Sequence, residues 1–210
     1  MQITFNSMVE EHFHYLIDEY NFRVVKVREE IQHDVAAEGY VEYESPTTFV
    51  TVTGEWYWNG VVFGRSKDDR RFSLSAEQIY EYISLTPDER GLVCSHDPND
   101  DRAAALLVAS KELQHEKRHF DSKAEEIDSQ LSDHAGWLKI YAEPFLTGDF
   151  SQWLEIYEYK VSRMIAELKR SGKKEYSLRL AGKDENGKAI HINEHVFIKS
   201  LDYLAQLRER

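Results

Sequence analysis

The stretch Glu55-Trp56-Tyr57-Trp58-Asn59-Gly60-Val61-Val62-Phe63 decides the fold class. Asn-Gly between two aromatic and β-branched runs predicts a type I′ hairpin, because both central residues of that turn need positive φ. Upstream, residues 22–27, 40–44 and 49–53 read as strands. Val41 and Tyr43 alternate with Glu42 and Glu44, and Pro46 breaks the ladder. Downstream, residues 71–74 form a further strand after the polar turn Lys67-Asp68-Asp69. Together these predict an antiparallel meander of four or five strands.

A helix precedes the meander. Ser7 and Glu10 have capping-box spacing, and Met8, Val9, His12, Phe13, Leu16, Ile17 and Tyr20 recur at helical spacing. Asn21 is a plausible stop, since Asn tolerates the left-handed conformation. After the meander, Ser75 and Gln78 repeat the capping spacing ahead of Ile79, Tyr82 and Ile83. Thr86-Pro87 reads as the N-cap and first position of a short helical turn, and residues 92–95 as a last strand.

The second half changes character. Between 102 and 142 only Gly136 is a poor helix former. Leu106, Leu113, Phe120, Ile127 and His134 recur every seven residues, with Ser110, Lys117, Ala124, Leu131, Leu138 and Phe145 as the companion series. One helix of this length predicts a kink near Gly136. Asp149 with Gln152 reads as the cap of another helix, striped by Phe150, Trp153, Leu154, Tyr157, Val161, Met164, Ile165 and Leu168. Two such helices joined by a short connection predict an antiparallel helical hairpin. Alternation around Leu178 and Leu180, the turn Asp184-Glu185-Asn186-Gly187 and a helix over 194–208 complete the chain.

The fold class is therefore α+β: an N-terminal helix plus antiparallel β-meander, a long helical hairpin, and a C-terminal β-hairpin and helix. The polar run Asp97-Pro98-Asn99-Asp100-Asp101 divides an acidic α+β domain, 1–97, from a mainly helical region, 98–210.

The 210 residues carry 38 acidic and 26 basic side chains, a formal net charge of -12. Residues 1–97 hold 18 acidic and 8 basic groups, so most of the negative field lies there. Phosphate recognition needs clustered Lys and Arg, so nucleic acid and anionic membrane surfaces are not expected partners. A basic protein partner fits this charge. Cys94 is the sole cysteine and excludes an internal disulfide. With no secretory signal and no apolar run of bilayer length, a cytoplasmic location is expected.

One string matches a catalytic pattern. His115-Glu116-Lys117-Arg118-His119 has zincin spacing, in which two His one helical turn apart hold zinc and the Glu acts as general base. Zincins, however, place uncharged residues where Lys117 and Arg118 stand. The heptad seam also leaves His115 and His119 on the solvent side. A polar helix face accounts for the string better, and a zinc-dependent hydrolase is the alternative. No other cofactor is indicated. Phosphate-cradling loops, nucleophile elbows, paired cysteines and dinucleotide fingerprints do not occur.

The acidic half supplies a different candidate. Glu42, Glu44, Glu55, Asp68 and Asp69 lie on strands and turns, with Tyr57 beside them, and together would form an aromatic-flanked negative surface for a partner. The same carboxylates can keep sheet edges from pairing.

The run Phe13-His14-Tyr15-Leu16-Ile17-Asp18-Glu19-Tyr20-Asn21-Phe22, followed by Tyr40-Val41-Glu42-Tyr43-Glu44-Ser45, resembles the small acidic α+β immunity proteins of bacterial polymorphic toxin systems. The resemblance covers about the first 75 residues. It implies a cytosolic inhibitor that binds and blocks a toxin domain. It assigns no individual residue a role. The expected function is thus a non-enzymatic protein-binding module. A structural protein that oligomerises through the helical region is a further alternative.

Overall fold

The computed structural model describes residues 4–32, 35–55, 58–66, 68, 72–94, 120–170, 181–183, 189–191, 203 and 205–209. For 29–32, 35–38, 55, 58–59, 92–94, 164–170, 181–183 and 189–191 it describes the backbone alone. The fold is α+β, built on a five-stranded antiparallel sheet in the order β1-β2-β3-β4-β5. The strands are β1 (Arg23–Gln32), β2 (Val35–Glu44), β3 (Thr48–Glu55), β4 (Trp58–Arg65) and β5 (Leu74–Ser75). No described helix is long and apolar enough to cross a membrane.

Hydrophobic register overrides the Asn-Gly turn signal. Gly54 pairs with Asn59 and Thr53 with Gly60, so both Asn59 and Gly60 lie inside β4 and the strands join through positions 56 and 57. The observed register sets Val52 opposite Val61 and Val50 opposite Phe63, and all four are buried. A turn at Asn59-Gly60 would have set Val52 opposite Lys67 and Val50 opposite Asp69. Losing that apolar match costs more than a turn preference returns.

Glycines and rings lock this register. Gly39 of β2 lies opposite Gly54 of β3, and the ring of Phe5 occupies the space above both, where any Cβ would collide with it. Gly64 of β4 lies opposite Phe49, whose ring would meet an added Cβ at 2.8 Å. An aromatic ring on a cross-strand glycine restores the packing that the missing side chain forfeits.

Phe5 opens α1 (Phe5–Phe13). The helix starts earlier than the Ser7–Glu10 spacing predicts. Thr4 is the N-cap: its Oγ1 accepts from the Ser7 amide at 3.2 Å, and Ser7 Oγ accepts from the Thr4 amide at 3.0 Å. That reciprocal pair already satisfies the helix start. Phe5, Met8, Val9 and Phe13 are buried, followed by Leu16 on the short α2 (Tyr15–Asp18). Asn21 terminates the segment with φ 56°, as its residue type predicts.

The α3 helix (Ala76–Ser84) begins with the predicted box. Gln78 Oε1 accepts from the Ser75 amide at 3.0 Å, and Ser75 Oγ accepts from the Gln78 amide at 3.2 Å. Thr86 caps α4 (Pro87–Cys94) in the same way, with Glu89 as its reciprocal partner. Residues 92–94 therefore belong to a helix, not to a last strand. The apolar run Leu92-Val93-Cys94 lies at helical spacing behind a strong cap.

Helix α5 spans Lys123–Tyr141. Phe120 to Ser122 are not helical, and Ser122 caps α5 by accepting from the Glu125 amide at 3.2 Å. A single helix over 102–142 is thus interrupted by a local cap. Gly136 introduces no break, because α5 continues through it to Tyr141. Of the predicted seam, Ile127, Leu131 and Leu138 are buried together with Ala135, whereas Ala124 and His134 are half-buried and Leu106, Ser110, Leu113 and Lys117 lie outside the described residues; the helix packs on α1 and β4. Pro144 lies in the first turn of α6 (Glu143–Leu146), and Gly148 follows with φ 91°. Thr48 Oγ1 donates to the Phe145 carbonyl at 2.6 Å in a buried site, tying α6 to β3.

The chain forms two compact units, each assembled from two segments. One contains Met1–Ile83 with Lys117–Phe150, the other Ser84–Glu116 with Ser151–Arg210. The seam of α5 is covered by the sheet assembly, which draws that helix into the first unit. The 97/98 position itself lies outside the described residues.

In the second unit, α7 (Trp153–Arg170) packs on α4. It starts at Trp153, not at Asp149, with the Gln152 carbonyl accepting from the Ile156 amide at 3.2 Å. Trp153, Ile156, Tyr157, Tyr159 and Val161 are fully buried. Trp153 Nε1 donates to Tyr203 Oη at 3.2 Å, and Arg208 meets Glu158 at 2.8 Å. The predicted hairpin around 184–187 is present as β6 (Ala181–Lys183) paired antiparallel with β7 (Ala189–His191).

Two glycine substitutions separate these effects. Gly54→Val, which drives a side chain into the Phe5 ring, is expected to lower unfolding free energy by about 1–3 kcal/mol. Gly136→Ala has nothing within 4 Å of the added methyl and is expected to raise it by about 0.5–1 kcal/mol. Urea denaturation of both variants measures the contrast.

Candidate functional site

Because α5 buries Ile127, Leu131, Ala135 and Leu138, helical geometry turns Asp133, Trp137, Ile140 and Tyr141 to another side. There they meet α3. Tyr80 stacks on Trp137 with ring centroids 5.9 Å apart and planes 8° from parallel, and it packs against Tyr141 at 5.1 Å. Each ring is half-buried. Two aliphatic side chains extend the cluster into solvent: Ile140 is 67% exposed and Ile83 40%. They stand one helical turn from Trp137 and Tyr80.

A titratable rim borders the rings. His134 packs edge-on to Trp137 at 5.5 Å. Its Nε2 lies 4.0 Å from Glu77 Oε1, beyond hydrogen-bond range. Burial pushes the His134 imidazole below its usual range, and the neighbouring Asp133 only partly opposes this. The ring is therefore neutral at neutral pH, and the formal charge of the rim comes from Glu77 and Asp133.

His12 takes another role. Its Nε2 lies 2.8 Å from Asp128 Oδ1 and links α1 to α5, a carboxylate contact instead of the backbone contact usual for a core histidine. On the far side of α5, Tyr15 donates to the Ala135 carbonyl at 3.2 Å, and Lys139 meets Glu19 at 2.6 Å. Burial raises the Tyr15 phenol and pushes Tyr43 up to about 12, so both remain protonated hydrogen-bonding groups. In the second unit, burial pushes the Lys160 amine down to about 8, with its Nζ 5.2 Å from the Tyr157 ring centroid.

The carboxylates singled out in the sequence are not gathered into an acidic patch among the described residues. Glu42 and Glu44 share one face of β2, but register sets Lys26 opposite Glu42 and Arg23 opposite Glu44. Glu42 accepts from the Tyr40 hydroxyl, Lys26 lies over the Tyr40 ring at 5.1 Å, and Glu44 is 3.9 Å from Arg23. That face alternates in sign. Asp68 sits in the turn after β4, where its amide donates to the Arg65 carbonyl at 3.0 Å. Tyr57, Asp69 and the side chain of Glu55 lie outside the described residues, as do His115, Glu116 and His119. Among the described residues, no group of three or more His, Cys, Asp or Glu side chains could hold a metal ion.

The aromatic cluster was not singled out by motif. A signal did exist: Trp137 stands outside both series of the heptad seam, four residues before Tyr141, which continues the first series. A bulky aromatic off a buried stripe packs against something else or stays partly exposed, and Trp137 does both. Comparison with protein-family models, with curated proteins and with solved structures finds no match.

The lowered His134 pKa fixes a pH dependence. The neutral ring is favoured in the fold, while the unfolded chain takes up a proton below about pH 6.5. The stabilisation is present above that pH and is lost as pH falls from it through the lower folded value. Denaturant midpoints of the parent and His134→Gln, measured at stepped pH, should diverge there. The parent is expected to lose stability more steeply on acidification, and equal slopes refute the assignment.

Proposed function

We propose that the chain is a non-enzymatic protein-binding module whose partner is a basic protein. One observation carries this reading: an indole and two phenol rings, half-buried, with Ile140 and Ile83 projecting beside them and Glu77 and Asp133 at their rim. Protein interfaces concentrate binding energy in Trp and Tyr anchors surrounded by contacts that exclude water. Rings held in place by one another lose little conformational entropy on binding. A carboxylate rim favours a cationic surface, and the net charge of -12 adds long-range attraction.

An immunity-type inhibitor is the specific form we favour. The resemblance of the N-terminal segment supports it. In that form the rings cover part of a basic toxin domain, and the carboxylates meet its Lys or Arg side chains. The inhibitor acts by occlusion and needs no chemistry of its own.

The test uses the product of the neighbouring reading frame, purified as a basic domain and titrated calorimetrically against the whole chain. Trp137→Ala and Ile140→Asp are each expected to weaken binding by about tenfold or more. Affinity is also expected to fall as salt rises from low to physiological strength. Ile140 is mostly exposed, so its substitution leaves the fold intact. Binding that ignores both the substitutions and the salt removes this surface from consideration.

A further inference from the structure

The apolar face of the sheet extends beyond its helical cover. Val41 and Tyr43 of β2 are buried, and α1 packs on that strand. Register sets Val27 of β1 opposite Val41, and Val24 opposite Tyr43. Yet Val27 is 54% exposed and Val24 43%, with Val25 at 41%. β1 is also the terminal strand of its sheet, so one edge of a ten-residue strand lacks a neighbour in the described ladder.

Exposed cations normally protect such an edge. Arg23, Lys26 and Arg28 are all exposed here. In sequence, however, β1 changes sign along its length: cations at 23, 26 and 28 give way to Glu29 and Glu30. The strand is therefore self-complementary in one orientation. The register puts Glu30 on the face of Lys26 and Arg28, and Glu29 on that of Val27, so antiparallel pairing centred on residue 29 sets Arg28 of each copy opposite Glu30 of the other, whereas in-register parallel pairing lays like on like.

We propose that β1 is a homodimer interface, in which the occupant of the edge is β1 of a second copy. The two strands pair antiparallel across a two-fold axis and continue the sheet from one chain into the other. Such an interface is isologous and closes at two copies. It supplies main-chain partners to the open edge and covers Val24 and Val27 where the helical layer ends. The cations that would repel an unrelated strand attract this one. This surface differs from the α3/α5 cluster, so either assignment can fail alone.

Sedimentation equilibrium of the whole chain tests the proposal, with circular dichroism confirming that each variant is folded. The parent is expected to show a monomer–dimer equilibrium that weakens with salt. Val27→Lys, at an exposed position, is expected to give monomer. Arg28→Glu sets like charges opposite each other across the axis and should weaken association at least about tenfold. Adding Glu30→Lys reverses the charge pair and should restore the dimer. A parent that is monomeric at every concentration tested overturns the proposal. So does a dimer unmoved by Val27→Lys, or an Arg28–Glu30 charge swap that fails to rescue.

Discussion

Phe5 lying on the Gly39–Gly54 pair is the contact on which the first unit depends. A strand pair with two opposed glycines is poorly specified by itself, since glycine offers no side chain to match across the ladder. The ring converts that weakness into a keyed fit. Slippage of β2 against β3 would bring a side chain under Phe5. The ring also belongs to the first residue of α1, so the key that fixes the sheet register fixes where the helix lands. The Thr4–Ser7 cap holds the ring there by starting the helix one residue before it. Phe49 over Gly64 repeats the device between β3 and β4.

Once α1 is placed, the remaining cover follows. α5 buries its seam against α1 and β4, and the Thr48 bond to the Phe145 carbonyl holds the segment after it. A helix packed on one side presents its other side at a fixed rotation. Trp137 and Tyr141 consequently reach Tyr80, and the aromatic cluster forms as a result of core packing. The cluster inherits the rigidity of the elements beneath it, which a binding surface on a loop would lack.

Much of this was legible in the chain. Alternation identified the meander, the Ser75–Gln78 spacing located α3, Thr86-Pro87 the start of α4, Asn21 marked its own stop, and the heptad seam named Ile127, Leu131 and Leu138 among the buried residues of α5. Asn59-Gly60 and Ser7–Glu10 were local signals overruled by a neighbour, while the helix after Asp149 starts only at Trp153 and Gly136 introduces no break. For Asn59-Gly60 it was the match of Val50 and Val52 with Phe63 and Val61; for Ser7, the reciprocal cap at Thr4. Strand pairing also bears on the candidate carboxylates of β2. Glu42 and Glu44 look like a negative patch along β2, and only strand pairing reveals Lys26 and Arg23 opposite them. Trp137 went unnoticed because its significance lies in Tyr80, 57 positions away in the chain.

The distribution of sign within the first unit bears on partner choice. Its sheet edge presents Arg23, Lys26 and Arg28, while the helical cluster is bordered by Glu77 and Asp133. Arg23 and Lys26 stand opposite Glu44 and Glu42, whereas the rim of the cluster is acidic, so on the proposed reading a cationic protein favours the cluster. An identical chain meets the reverse situation. Two clusters rimmed by carboxylates repel each other, whereas two copies of β1 carry both signs and can align them. On the two proposals, one fold separates what it offers to a foreign partner from what it offers to itself. In both proposals the surface works through apolar area, shape and charge already set by the packing beneath it.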